Sequence, residues 1–153
     1  MTDHDHDLVR FVTAQEGVHE TALAELRAGR KRSHWMWFVF PQLAGLGRSP
    51  TAQHFGVTGV EQATRYLADP VLGPRLLEAV AALTEAPAPS AEALLGGIDA
   101  VKARSSLTLF ARAAADAGPF RAALDRWYGG AEDPVTLRLL ADAGPVLRSS
   151  GDR

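Results

Sequence analysis

Apolar residues recur every three or four positions along most of the chain, which is the spacing of one buried face of an α-helix. The first such segment runs from Leu8 to Ala28, and Gly29 is placed to end it, because glycine often terminates helices in the left-handed conformation. Gln15 falls on the inward stripe of this helix. A buried amide there needs either internal partners or a ligand.

Helix-start signals divide the rest of the chain. Capping residues precede proline at Ser49-Pro50, Asp69-Pro70 and Asp133-Pro134, and proline is favoured in a first helical turn. With these starts, the pattern predicts helices over residues 59–67, 70–85, 90–95 and 120–128, a helix over 100–115 capped by Asp99, and further helices after Ser49 and Asp133.

The segment from Trp35 to Phe40 has no clear period. Its aromatic and β-branched residues favour a strand, whereas Ser33 could cap a short helix that ends near Pro41. We prefer a short helix or an irregular buried segment, because the sequence contains no convincing second strand to pair with it. The expected fold is all-α, a single compact orthogonal domain of about seven helices over residues 8–148, without a substantial β-sheet. Residues 1–7 are expected to form a disordered tail and residues 149–153 a frayed one.

Composition indicates the cellular location of the chain and excludes some kinds of chemistry. It has 153 residues and no cysteine, which excludes disulfides and thiolate chemistry. The polar, acidic start does not resemble a signal peptide, and no apolar run reaches membrane-spanning length. We therefore expect a cytoplasmic protein that does not bind membranes. His4 and His6 predict no metal site, since terminal residues of this kind are usually mobile.

Charge is distributed unevenly. The formal net charge is -2, yet no carboxylate occurs between Glu25 and Glu61. The cations of this stretch are Arg27, Arg30, Lys31, Arg32 and Arg48. Such a local positive field suits a small anion better than a nucleic acid. Alternatively, the cations only complement the carboxyl end of the preceding helix and stay solvated.

The same stretch contains the densest aromatic patch of the sequence, centred on Trp35 and Trp37. Buried aromatic rings next to cations can form a pocket with apolar walls and an anion-binding rim. Gln42 and a glycine-bearing loop follow, and backbone N–H groups near Gly47 could hold a phosphate together with Arg48.

A second stretch carries polar residues at helical spacing. Asp99, Lys102 and Ser105 or Ser106 lie along one side of a predicted helix. The default interpretation is a helix cap followed by close packing, and a serine nucleophile activated by Lys102 is the less favoured alternative.

Residues 29–42, Gly-Arg-Lys-Arg-Ser-His-Trp-Met-Trp-Phe-Val-Phe-Pro-Gln, resemble the bacterial family called domain of unknown function 1810. Further matches at Ala14-Gln15, at residues 66–76 and at residues 99–110 extend the resemblance over most of residues 11–140. A small departure is His19, where the family pattern suggests an aromatic residue. The resemblance implies a small, mostly helical domain and no known activity.

A shorter resemblance concerns about a tenth of the chain. Residues 66–77 are similar to a segment of the NADAR family of ADP-ribose-linked proteins, whose activity would imply cleavage of an N-glycosidic bond. Together with the charge pattern, this favours a small anionic, nucleotide-like ligand, such as one of ADP-ribose type, and a hydrolase in the case that the chain is an enzyme.

Three hypotheses follow from these patterns. In the first, a pocket for a small anion uses His34 and Asp99 as acid and base, with no metal and no cofactor. Its ligand-binding residues would be Gln15, Arg30, Arg32, Trp35, Trp37, Gln42, Gly47, Arg48, Lys102 and Ser105. In the second, the tryptophans point outward and make the chain a non-catalytic protein-interaction module. Nucleic-acid binding is disfavoured by the net acidity, and the expected oligomeric state is a monomer or a weak homodimer.

Overall fold

The computed structural model describes residues 5–142, and this part of the chain is helical. Its ten helices are α1 (Asp5–Gln15), α2 (His19–Ala28), α3 (Met36–Val39), α4 (Pro50–His54), α5 (Val60–Ala68), α6 (Leu72–Glu85), α7 (Ala91–Leu95), α8 (Gly97–Ala113), α9 (Gly118–Tyr128) and α10 (134–142). The described residues form no sheet, only an isolated parallel bridge between Leu43 and Val57. The all-α prediction is confirmed, and the helices outnumber the expected seven.

Part of the excess arises where the sequence pattern predicted one long helix. The segment from Leu8 to Ala28 is divided into α1 and α2, because Gly17 adopts a left-handed conformation with φ of +73°. Periodicity did not reveal this break, since Val18 continues the apolar stripe across it. Gly29, with φ of +85°, ends α2 as expected.

Most of the predicted helix starts are present. Ser49 and Ser90 accept hydrogen bonds from the backbone N–H groups of Ala52 and Ala93 at the starts of α4 and α7. Asp133 caps α10 in the same way through Thr136. The prediction for Asp99 was wrong, because α8 begins at Gly97 and places Asp99 inside its first turn.

The carboxyl-terminal half of α8 is the central element of the core. Residues 105–111 are all buried, which is the pattern of a helix that is covered on every side. Helices α5, α7 and α9 pack around α8, and α6 closes the core against α2, α5 and α9. In contrast, Ile98 and Val101 in the amino-terminal half are 74% and 60% exposed. One helix therefore extends from the core to an open surface.

One carboxylate accepts four of the hydrogen bonds that hold the segment between α2 and α3. Glu25 accepts hydrogen bonds from the backbone N–H groups of Arg32 and Ser33, from the Ser33 hydroxyl and from the Trp35 indole, 2.9 Å away. Ser33, the predicted helix cap, is thus a partner of Glu25, and Trp35 takes the N-cap position of α3. Four bonds to one charged group fix the path of the chain up to α3.

The hydrogen bonds to Glu25 lower the pKa of its carboxyl group. Partial burial alone would raise the pKa, but the four hydrogen bonds outweigh it and lower the pKa from 4.5 to about 2. Glu25 thereby stabilises the folded state only while it is ionised.

The expected tails, residues 1–7 and 149–153, lie largely outside the described part of the chain, although α1 already begins at Asp5. None of the helices within residues 5–142 has the length and apolar character needed to cross a membrane.

Replacing Glu25 by glutamine is expected to lower the free energy of unfolding by about 2 kcal/mol at neutral pH, because the amide offers a single uncharged acceptor to four donors. Since the folded pKa lies below the unfolded value, the wild-type advantage is complete above about pH 5 and is lost as the pH falls toward 2. Urea unfolding between pH 3 and 7 measures this, with E20Q at an exposed position of α2 as control. Equal stability of E25Q and wild type at pH 7 would contradict the assignment.

Candidate functional site

The chain contains two lysines, and both contact the same aspartate. Lys31 Nζ lies 2.9 Å from Asp99 Oδ2, and Lys102 Nζ lies 3.7 Å from Asp99 Oδ1. The Lys31 side chain is only 8% exposed and also donates to the Ser33 carbonyl. Two ammonium groups and one carboxylate leave this cluster with one excess positive charge.

A cavity of about 130 Å³ opens beside this cluster. It is lined by Lys31, His34, Met36, Trp37, Asp99 and Lys102. His34 is exposed, and its imidazole makes no hydrogen bond or ion pair with the residues that the structure describes. A ligand in this cavity would therefore meet a cationic wall and an imidazole that is free to bind it. We call it the charged cavity.

A larger groove of about 420 Å³ adjoins the charged cavity. Its apolar walls come from Trp37, Leu46, Ile98, Val101 and Val135, and its polar lining from Gln42, Lys102, Ser105 and Asp133, with Gly47 at the edge. Three of the wall residues are large apolar side chains that remain exposed, with Ile98 the most exposed at 74%. An open apolar groove with a few polar groups is typical of a small-molecule site.

Trp37 and Lys102 line both spaces and form the wall between them. The ammonium of Lys102 lies 3.6 Å from the centroid of the Trp37 ring, a cation–π contact. A ligand whose apolar body occupied the groove could thus place an anionic group near Lys102 without leaving the site.

The floor of the groove is a network of side-chain hydrogen bonds. Asp133 Oδ2 accepts from the hydroxyls of Ser105 and Thr136 and from the Thr136 backbone N–H, while the Asp133 N–H donates to Thr108 Oγ1. These bonds fix the start of α10 against α8. The floor is therefore rigid before any ligand arrives.

The spacing of α8 explains how its residues reach the site. Asp99, Lys102 and Ser105 are three residues apart, so their side chains lie on one face of the helix. The sequence predicted this stripe, and the structure places Asp99 in the charged cavity, Lys102 between the two spaces and Ser105 on the floor of the groove.

Seven of the twelve residues predicted for the site line one of the two spaces. They are His34, Trp37, Gln42, Gly47, Asp99, Lys102 and Ser105. The side chain of Gln42 makes no hydrogen bond within the described residues and is available to a ligand. The other five, Gln15, Arg30, Arg32, Trp35 and Arg48, line neither space.

Gln15 belongs to a buried internal network. Its amide N–H groups donate to the Phe38 carbonyl and the Tyr66 hydroxyl at 2.7 and 3.0 Å, and its oxygen accepts from Arg75 at 3.3 Å. Burial raises the pKa of the Tyr66 hydroxyl well above its ordinary range, so this hydroxyl keeps its proton. The internal-partner interpretation of Gln15 therefore fits the structure.

Trp35 and the three arginines lie elsewhere for different reasons. Trp35 is fully buried, and its indole N–H donates to Glu25, so it can neither stack on a ligand nor act as an outward contact. Arg30, Arg32 and Arg48 are exposed to solvent outside both spaces. At the start of α4, the Ser49 hydroxyl accepts a hydrogen bond from the Ala52 N–H group.

Sequence reasoning missed several residues of the site. Lys31 was counted only as part of a cationic run, because its ion pair with Asp99 joins distant segments. The sequence could have indicated Ile98 and Val101, since they are apolar residues that lie beside the polar stripe of α8. Asp133 was interpreted only as a cap. Among residues 8–142, whose side chains the structure describes, no cluster of three or more His, Asp or Glu side chains could hold a metal ion.

Replacing Asp99 by asparagine is expected to lower the free energy of unfolding by about 1–3 kcal/mol, because the nearly buried ammonium of Lys31 loses its counter-charge. Thermal and urea unfolding measure the change. The matched control is D125N, at an exposed position of α9. If both variants were equally stable, the ion pair would not hold the charged cavity together.

Comparison with known proteins places the chain in a family. No curated protein matches it significantly. Among solved structures, it is similar to the crystal structure of the conserved hypothetical protein Rv1873 from Mycobacterium tuberculosis, with 50% sequence identity and a TM-score of 0.86. The match covers 88% of this chain and 96% of the other. The model of the protein family of unknown function DUF1810 matches residues 5–140, and the chain therefore belongs to the DUF1810 family.

Proposed function

We propose that the chain binds a small, nucleotide-like anion of the size of a nucleoside monophosphate across the groove and the charged cavity. The observation that carries this proposal is the contact between Trp37 and Lys102, which joins an apolar wall to a cation. The ring of the ligand would pack against Ile98 and Val101, and its anionic group would lie at Lys102 beside His34.

Charge favours one phosphate over two. The charged cavity has one excess positive charge, and Lys31 is already engaged by Asp99. The three predicted arginines that could have supported a diphosphate lie outside both spaces. A ligand of ADP-ribose type is therefore less favoured than a monophosphate, because the second phosphate would lack a cation.

Hydrolysis of such a ligand is a second candidate function. It is favoured by the presence of His34 and Asp99 in the same cavity, as a pair of acid and base would require. It is opposed by the engagement of Asp99 with two ammonium groups, which directs this carboxylate at Lys31 and Lys102 and away from a ligand. We therefore place binding before catalysis.

The protein-interaction alternative loses one of its two tryptophans, since Trp35 is buried. What still supports it is the exposed apolar wall formed by Ile98, Val101 and Val135. A cytoplasmic location, a monomer or weak homodimer and a lack of nucleic-acid binding remain our expectations from the sequence.

Lysine chemistry provides a direct test, because the chain has only Lys31 and Lys102. Reductive methylation with ¹³C-formaldehyde preserves the charge and labels both side chains and the α-amine for NMR, and the signal absent from K102Q is that of Lys102. Titration with AMP is expected to shift the Lys102 signal saturably, with adenosine giving a much weaker effect. K102Q is expected to weaken AMP binding about 10- to 100-fold, because a charge-assisted hydrogen bond is lost.

The matched control is R48Q, which removes a cation outside both spaces and should bind AMP as the wild type does. Unchanged AMP affinity in K102Q, or no response to AMP at Lys102, would contradict the proposal. Chromatography of the same samples separates the two candidate functions, since hydrolysis of the N-glycosidic bond would release free adenine.

A further inference from the structure

At the floor of the groove, the carboxylate of Asp133 can accept further hydrogen bonds. Asp133 is 7% exposed, and every hydrogen bond that its carboxylate receives from the described residues goes to Oδ2. The donors are the two groups of Thr136 and the hydroxyl of Ser105. Three bonds to one oxygen fix the orientation of the carboxylate and therefore the direction of the second oxygen.

The second oxygen, Oδ1, is open to solvent. It receives no hydrogen bond from residues 8–142, and the protein does not enclose it. Because Asp133 lines the groove, the solvent that Oδ1 reaches is that of the groove. A ligand there would meet an oriented carboxylate oxygen.

Asp133 has no paired cation in the described part of the chain, and its charge is met by neutral donors at the start of α10. Within the described residues, no lysine or arginine nitrogen lies within ion-pair distance of its carboxylate, and the three donors to Oδ2 are neutral. A carboxylate in these surroundings gains most from an additional N–H or O–H donor, since charge-assisted hydrogen bonds are about twice as strong as neutral ones.

Asp133 and Lys102, the acceptor and the cation of the groove, lie far enough apart to contact different parts of one small ligand. Ser105, which donates to Asp133, is three residues from Lys102 on α8, and side chains at that spacing have Cβ atoms about 5–6 Å apart. An acceptor at Asp133 and a cation at Lys102 can therefore engage opposite ends of one small molecule.

We propose that Asp133 determines ligand specificity by accepting a hydrogen bond from an N–H or O–H donor of the ligand whose anionic group lies at Lys102. This inference rests on the proposed function. For a nucleoside monophosphate, the donor is either an amine of the base or a hydroxyl of the ribose. Ligands without such a donor leave the oriented oxygen unpaired and bind more weakly.

Three probes that share one phosphate test the proposal by calorimetry. They are AMP, purine riboside 5′-monophosphate, which lacks the base amine, and 2′,3′-dideoxy-AMP, which lacks the ribose hydroxyls. Wild type is expected to bind one of the two depleted probes about 10- to 100-fold more weakly than AMP, and which one identifies the donor.

The variant D133N reverses the polarity of the floor. Asparagine is a good helix cap, so its oxygen can still accept from Thr136 while its NH₂ group replaces Oδ1 in the groove. The preference for AMP over the depleted probe is expected to disappear in D133N and to persist in D142N, an exposed position of the same helix. Should D133N fail to fold, Q42L decides, because Gln42 is the other unpaired acceptor of the groove within the described residues. A preference for AMP that persists in Q42L supports Asp133 as the acceptor, and a preference that disappears in Q42L overturns its role.

The outcomes are distinguishable. If wild type binds both depleted probes with the same affinity as AMP, the role of Asp133 is overturned and the proposed function stands. The same holds if D133N folds and keeps the wild-type preference. If AMP does not bind at all, the proposed function fails, and the inference about Asp133 fails with it.

Discussion

The carboxylate of Glu25 is the constraint on which the arrangement of the site depends. It binds four donors from residues 32–35 and thereby turns a cationic segment back onto the end of α2. Trp35 is buried in the core and donates to Glu25, and Trp37, two residues later in α3, lies against Lys102 of α8. Without the Glu25 carboxylate, residues 32–35 would lose four hydrogen bonds that set the direction of the chain into the aromatic wall.

Helix α8 supplies the other half of the site. Its carboxyl-terminal half is buried on all sides, which makes it a rigid support, and its amino-terminal half carries Lys102 and the exposed apolar residues Ile98 and Val101. The ion pair between Lys31 and Asp99 joins this helix to the segment organised by Glu25. The charged cavity and the groove are therefore built from two distant segments held by two carboxylates.

Local chemistry made much of this predictable. The caps at Ser49, Ser90 and Asp133 and the α8 stripe depend on spacings of three residues, which the sequence shows directly. The direction in which a cationic side chain points could not be predicted in this way, because it depends on which residue from a distant part of the sequence lies opposite it.

Lys31 and the neighbouring Arg30 and Arg32 looked equivalent in the sequence. Only Lys31 turns toward Asp99, while the two arginines remain in solvent. In the same way, a capping role was predictable for Asp133, but the free oxygen on its groove side depends on the packing of α10 against α8. The break at Gly17 was missed because the apolar period continues through it.

A crystal structure of the protein with AMP tests most directly the claim that the groove and the charged cavity form one site. The account predicts phosphate oxygens within hydrogen-bond distance of Lys102 Nζ and the adenine ring in the groove against Ile98 and Val101. Nucleotide bound only at the exposed Arg30 and Arg32, or two spaces left empty at saturating AMP, would contradict it.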